Sequence, residues 1–294
     1  MTRNRESGQA LVLVLLSLSV VLTVVLFILA RSVTDVTVSS RQEESVRAFS
    51  AAEAGIERAL VVGSGFGATD IGNASYTTSV TDFALGGNDM NFPTLISSGD
   101  TVTTWFVSHD ADGNLGCGSL PCFTGSQMKV CWGNPGTSLG ASTTPAIEVS
   151  VYYESTPGDL ATIKIGRVTA DPNTARRASN SFASDDGGTC EIAGRTYLFQ
   201  KTINFASLGI PAASYGVENG LQLAQIRMLY NAGYPHAVGT TVSFAGNTTL
   251  PSQGQKIDSS GVAGDSNRRI VVFQGWSESP FASNALLVPS GITK

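Results

Sequence analysis

Cysteine is the residue type with the clearest chemistry in this chain. Cys117, Cys122 and Cys131 follow a C-x4-C-x8-C spacing, and Cys190 completes an even set of 4. A zinc ribbon needs two close pairs, which this spacing does not supply. Disulfides in an oxidising compartment are therefore expected. Four cysteines allow three pairings; the expected one joins Cys117 to Cys122 across a small loop and Cys131 to Cys190 across distant segments. Free buried thiols are the alternative. The run His109-Asp110-Ala111-Asp112-Gly113-Asn114 places Asp110, Asp112 and Asn114 at alternate positions, an oxygen pattern that suits Ca²⁺. An EF-hand loop wants glycine sixth and glutamate twelfth. Here Gly113 is fourth and Pro121 twelfth, so the plain alternative is a hairpin turn after a strand. Apart from this Ca²⁺ pattern, no cofactor is expected.

Catalytic chemistry finds little support. The chain has 2 His, His109 and His236, in separate turn regions. It contains no G-x-S-x-G, no H-E-x-x-H and no P-loop. Neighbouring carboxylates such as Glu43-Glu44 and Asp185-Asp186 read as solvated charge, and so do the pairs Arg176-Arg177 and Arg268-Arg269. The chain is expected to be a non-enzyme. Its 294 residues suit one or two domains, and 14% charged residues with 42% hydrophobic residues argue against wholesale disorder. The net charge of −5 argues against a nucleic-acid partner, which would need a basic face.

Such groups need a scaffold, and the N-terminal region defines it. Met1–Gly8 is short and polar; Gln9 to Ala30 carries no charge. About 22 helical residues span about 33 Å, enough for a hydrocarbon core of about 30 Å. The hydroxyls of Ser17, Ser19 and Thr23 have backbone carbonyls within reach. Arg3 and Arg5 before the span favour a cytoplasmic N-terminus. A secretory signal peptide is the alternative, but its apolar region is usually shorter, and Leu29-Ala30-Arg31-Ser32 is a poor cleavage site.

The helix is expected to continue past the membrane. No glycine lies between Gly8 and Gly55, and no proline precedes Pro93. Val46, Phe49, Glu53, Ile56 and Leu60 step by three and four, predicting an apolar stripe that lies against a domain. Ala48, Ala51, Ala52, Ala54 and Ala59 add helix propensity, and Gly63-Ser64-Gly65 ends the helix. The expectation is one helix over Gln9–Val62, a membrane half at 9–30 and an amphipathic half at 31–62.

Two motifs carry a family resemblance. Arg5-Glu6-Ser7-Gly8 followed by Gln9-Ala10-Leu11-Val12-Leu13-Val14-Leu15 resembles the class III leader of type IV pilins and pseudopilins. Arg47-Ala48-Phe49-Ser50-Ala51-Ala52-Glu53-Ala54-Gly55 resembles the Ala-Ala-Glu-Ala-Gly stretch of PilX-like minor pilins. The stretch Leu250–Gly261 with Arg268–Phe273, read as polar turns followed by a strand, is loosely similar to the end of such proteins. The resemblance implies a leader over 1–8, cut between Gly8 and Gln9 by a membrane prepilin peptidase, with methylation of Gln9. It implies an assembly helix, with Leu13, Phe49, Ala51, Ala52, Glu53 and Gly55 among its residues, that packs with other pilin subunits. The chain departs from major pilins in starting its mature part with Gln9 instead of Phe. It also carries Leu13 where they have a Glu that neutralises a neighbour's amine inside an apolar bundle. Both departures suit a minor, initiating or tip subunit. The implied location is the inner membrane with the N-terminus inside, then a cell-surface filament after assembly.

Residues 63–294 are expected to form a β-rich exported domain, giving an α+β fold in which the long helix packs on an antiparallel β-rich domain. Ala146–Glu154 alternates with period two, Ile147, Val149, Val151 and Tyr153 on one face. Thr101–Val107, Ala161–Val168, Thr196–Phe205, Leu221–Tyr230, Thr240–Phe244 and Arg269–Gln274 are further strands. Residues 63–100 and 171–190 are expected to be long loops, and a division into two lobes would fall near 155–160 or 207–218. Two other functions compete with a filament subunit: a membrane-anchored surface adhesin or binding protein that never polymerises, and an anchored hydrolase.

Overall fold

A computed structural model describes residues 7–110, 113–118 and 120–276. The first element, α1, runs unbroken over Ser7–Val62. Residues 56–62 end it without proline: Gly63 turns left-handed at φ +72°, and its N–H donates to Ala59 O at 2.8 Å, satisfying one of the last carbonyls.

Strands follow: β1 Phe66–Ile71, β2 Ala74–Asp82, β3 Asp89–Asn91, β4 Thr101–Trp105, β5 Gln127–Trp132, β6 Ala146–Glu154 and β7 Ile163–Ala170. Then come β8 Cys190–Ile192, β9 Arg195–Tyr197, β10 Phe199–Asn204, β11 Leu221–Leu229, β12 Val238–Thr241, β13 Gly254–Ala263 and β14 Ser266–Gly275. Two short helices interrupt them, α2 Thr174–Asn180 and α3 Ala212–Tyr215. The strands form three four-stranded sheets, ordered β1-β2-β13-β14, β10-β5-β12-β3 and β4-β11-β6-β7, with β8-β9 as a separate ribbon. The fold is α+β, a long N-terminal helix packed on antiparallel sheets.

The chain divides into two compact units. Among the described residues the first holds α1, the strands up to Val80, and Ile257–Val272; the second holds Thr81–Lys256 and residues 273–276. The division therefore falls at neither 155–160 nor 207–218. Inside the second unit, the sheets β10-β5-β12-β3 and β4-β11-β6-β7 share one core, in which Trp132, Phe199 and Ile203 meet Ile147, Val149, Val151 and Ile226. In strand β6 Ile147, Val149, Val151 and Tyr153 are buried as the period-two pattern predicts; on the other face Glu148 and Tyr152 are only partly buried, but Ser150 is buried as well. It lies between β11 and β7, paired along its length on both sides.

Four expectations need correction. Residues 63–100 are not a long loop: they carry β1, β2 and β3. Residues 171–190 hold α2, whose first turn is capped by Asn173 accepting from Arg176 N–H. Thr196–Phe205 is not one strand: Tyr197 ends the β8-β9 ribbon and Phe199 starts β10, which pairs with β5. In the first two cases Gly, Ser and Thr disguised regular structure as loop. The segment Leu250–Gly261, read as turns, is strand from Gly254.

Candidate functional site: the N-terminal helix and its packed face

In the first unit, α1 buries Ala48, Ala51, Ala52, Gly55, Ile56 and Ala59. Their spacing of three and four makes one helix face. Opposite lie small and hydroxyl residues of β2 and β13. A Cβ on Gly261 would sit 2.0 Å from Ala48 O and 2.6 Å from Ala52 N, so strand and helix backbones are in direct contact there. A Cβ on Gly55 would sit 2.3 Å from Ser259 Oγ and 2.6 Å from Thr78 Oγ1. Those two buried hydroxyls satisfy each other, Thr78 donating to Ser259 at 3.2 Å. Ile56 and Ala59 join Ile257 in a small apolar cluster edged by Phe66, Val80, Ile270 and Val272. Charged groups close the rim. The Arg58 guanidinium lies 4.2 Å over the Phe66 ring and donates to Tyr76 Oη at 3.0 Å, Arg268 donates to Ser45 Oγ at 2.6 Å, and Arg269 pairs with Asp258.

The stripe expected to face the domain is not the packed face. Of Val46, Phe49, Glu53, Ile56 and Leu60, only Ile56 is buried; Phe49 is 47% exposed, and Val46, Glu53 and Leu60 are exposed too. Size explains the reversal. With Gly261 against the helix backbone there is no room for a valine or phenylalanine between the two, so the alanine and glycine face turns inward. The signal is present in the sequence as the series Ala48, Ala52, Gly55, Ala59, whose alanines count towards helix propensity and whose Gly55 ends the Ala-Ala-Glu-Ala-Gly stretch, and whose small size along one face decides the packing. Among the assembly-helix residues, Ala51, Ala52 and Gly55 are thus spent on this unit's own packing, whereas Leu13, Phe49 and Glu53 face outward.

The other half of α1 packs against no other element among the described residues. From Leu11 to Val38 every large apolar side chain is exposed, all round the helix. Its hydroxyls are satisfied internally: Ser17 donates to Val14 O, Ser19 to Leu16 O and Thr23 to Val20 O, at 2.8–2.9 Å. Among the described residues this is the one helix long and apolar enough to cross a membrane. Gly8 and Gln9 fall in its first turn. Met1–Glu6, most of the expected leader, lie outside the described residues.

The remaining candidates sit in the second unit. Cys117 is bonded to Cys122 and Cys131 to Cys190, across sequence separations of 5 and 59. Asp112 lies outside the described residues. Asp110 and Asn114 bond to each other, the Asn114 N–H donating to Asp110 Oδ1 at 2.8 Å and its amide to Oδ2 at 3.1 Å, as a hairpin tip does. Among the described residues no three His, Cys, Asp or Glu side chains cluster as a metal site would require.

Arg176 is not solvated charge. It pairs with Asp171, whose side chain is inaccessible, at 2.7 Å, donates to Ser142 O and Thr144 O, and lies 3.9 Å over the Tyr230 ring. Burial pushes the Asp171 carboxyl up, but bonds from Arg176, the Asn173 N–H and the Asn180 amide outweigh it and hold it below the usual carboxylate range. Arg177 donates to Asp171 O at 2.8 Å. Asp186 is likewise engaged, with Lys201 at 2.8 Å. Both histidines are pushed down by burial. His236 Nδ1 accepts from Asn134 N–H, and His109 lies between Trp105 and Trp276, ring centroids 4.5 and 4.6 Å away. The sequence offered no spacing rule by which these long-range partners could be found. Compared with models of known families, with curated proteins and with solved structures, the chain matches none.

Proposed function

We propose that this protein is a minor subunit of a type IV pilus-like filament, held in the inner membrane by α1 until it assembles. The observation that carries the reading is the contrast along one continuous helix. Among the described residues, its first half is apolar on every side and without a packing partner, and its second half is fastened to a sheet on one face. Such a rod needs lipid or other apolar rods around it. In this reading prepilin peptidase removes Met1–Gly8, and Gln9 becomes the methylated N-terminus. The mature rod leaves the bilayer by packing against neighbouring pilin subunits. The face bearing Val46, Phe49 and Leu60 extends that apolar surface beyond the membrane half, and Ala51, Ala52 and Gly55 keep the subunit's own sheet attached. Leu13 brings no carboxylate for a neighbour's amine, which suits a subunit present in few copies at an initiating or tip position.

Mass spectrometry of the mature N-terminus tests the proposal. A chain beginning at Gln9 is expected; an intact Met1, or a start near Ser32, overturns it. Sheared filaments should contain this chain as a minor component, and filaments built mainly from it would remove the minor-subunit reading.

A further inference from the structure

In the sheet β4-β11-β6-β7, β4 is an edge strand. Phe106 N–H donates to Gln222 O, and Asp100 O accepts from Met228 N–H. The even-numbered residues of this stretch therefore turn their backbone groups to β11, and Thr101, Thr103 and Trp105 turn theirs outward. At Trp105 both outward groups are taken by one side chain. Gln253 Oε1 accepts from the Trp105 N–H at 2.7 Å, and Gln253 Nε2 donates to the Trp105 carbonyl at 2.9 Å. The carboxamide pairs as a peptide unit of a neighbouring strand would. No such partner continues the row: among the described residues nothing bonds to the outward backbone groups of Thr101 and Thr103.

A cavity of about 230 Å³ lies along this edge. Val102 packs on the core of the second unit and Thr104 meets Thr240 there, whereas Trp105 belongs to a cluster on the opposite face. Thr101, Val102, Thr103 and Trp105 all border the cavity. Residues of both faces line it, so it follows the open edge rather than either face. Its other walls are largely apolar, Phe83, Phe92 and Phe273 among them, and Phe273 is 39% exposed. An unpaired edge beside bare aromatic surface is a place for an added strand. The chain itself supplies one. The described residues end at Trp276, which lines this same cavity, and residues 277–294 follow it. Within them 281–288 carries no charge and no proline, and Pro280 and Pro289 flank it. The 5 residues of β4 span about 17 Å, less than that stretch covers when extended. Leu286 and Val288 share one face of such a strand and Leu287 takes the other, so either orientation turns a large apolar side chain to the aromatic walls. We propose that residues 281–288 add to the free edge of β4, their backbone pairing with Thr101 and Thr103 and their side chains filling the cavity.

The test follows amide hydrogen exchange residue by residue in the full chain, held in lipid nanodiscs with one copy to a disc. The Thr103 N–H should exchange slowly. The double substitution Leu286→Asp with Leu287→Asp should speed it about three- to tenfold, the range expected for one net hydrogen bond. The Thr104 N–H, which faces β11, should not change. Ile292→Asp, beyond the added strand, should leave Thr103 as in the unaltered chain. A free peptide of the sequence 281–288 should slow Thr103 again in the doubly substituted chain, saturably. The proposal is overturned if Thr103 exchanges alike with and without the double substitution, if Thr104 speeds as much as Thr103, or if Ile292→Asp has the same effect. It is overturned as well if the peptide restores nothing, or if protection of Thr103 in detergent rises with protein concentration, which would assign the edge to a second copy.

Discussion

The two units are held together by opposite means. In the second, volume does the holding: Trp132, Phe106, Phe123, Phe199 and Phe205 are fully buried, and two sheets close over them. In the first, the helix–sheet contact depends on side chains that are absent or short, with Gly261 and Gly55 at its centre and only Ile56, Ala59 and Ile257 as a buried apolar cluster. Removing atoms should injure the second unit most, and adding atoms should injure the first.

The sharpest way to break this contrast is therefore a pair of opposite substitutions. Trp132→Ala should destabilise the second unit by about 3–5 kcal/mol, the range for truncating a buried tryptophan, measured as loss of unfolding free energy in denaturant. Gly261→Val should cost about 3 kcal/mol by driving a side chain into the Ala48 carbonyl, and should raise hydrogen exchange across β13 and the second half of α1. If valine at 261 were accommodated without loss, the first unit would not be a close-approach contact at all.

Acid should sharpen the comparison further, because the histidines and carboxylates with shifted titration lie in the second unit. His109 and His236 are pushed down by burial, so the unfolded chain binds protons first as pH falls. Stability of that unit is full above the ordinary histidine range, about 6.5, and declines as pH drops below it. Asp171 and Asp186 are held below the usual carboxylate range by their partners, and their contribution is lost at still lower pH. Melting temperature followed against pH should show this two-stage decline. The smallest effect is expected at Phe49. Phe49→Ala should change unfolding free energy by no more than about 0.5 kcal/mol, as for other exposed positions, yet it should reduce recovery of the protein in sheared filaments. A large loss of stability would instead mean that the Phe49 face is part of the subunit's own core.

Much of the scaffold was legible. A charge-free run without proline or glycine leaves helix as the only economical backbone arrangement, and α1 follows it closely. Strand β6 was legible because Ile147, Val149, Val151 and Tyr153 alternate with more polar neighbours. Strands β1, β2 and β13 were not, because the face they turn to the helix is built from groups such as Thr78, Ser259 and Gly261, where size rather than hydrophobicity decides the fit. For the same reason, apolar periodicity chose the wrong face of α1. The surroundings of Arg176 were invisible for a different reason: Ser142, Thr144 and Tyr230 are brought to it from distant parts of the chain, and no local spacing encodes their meeting.

The threonine and serine hydroxyls of α1 carry one last consequence. Because Thr34 and Thr37 also donate to carbonyls four residues back, at 2.8–2.9 Å, these hydroxyls along the bare half of the rod spend their donor protons within it. A neighbouring rod in the proposed filament would gain little from bonding to these five hydroxyls, so any registry there would come from contour and from the charges at Arg31 and Asp35. In the filament proposed above, these hydroxyls would then put no barrier of their own in the way of the shaft rotating or slipping by small steps.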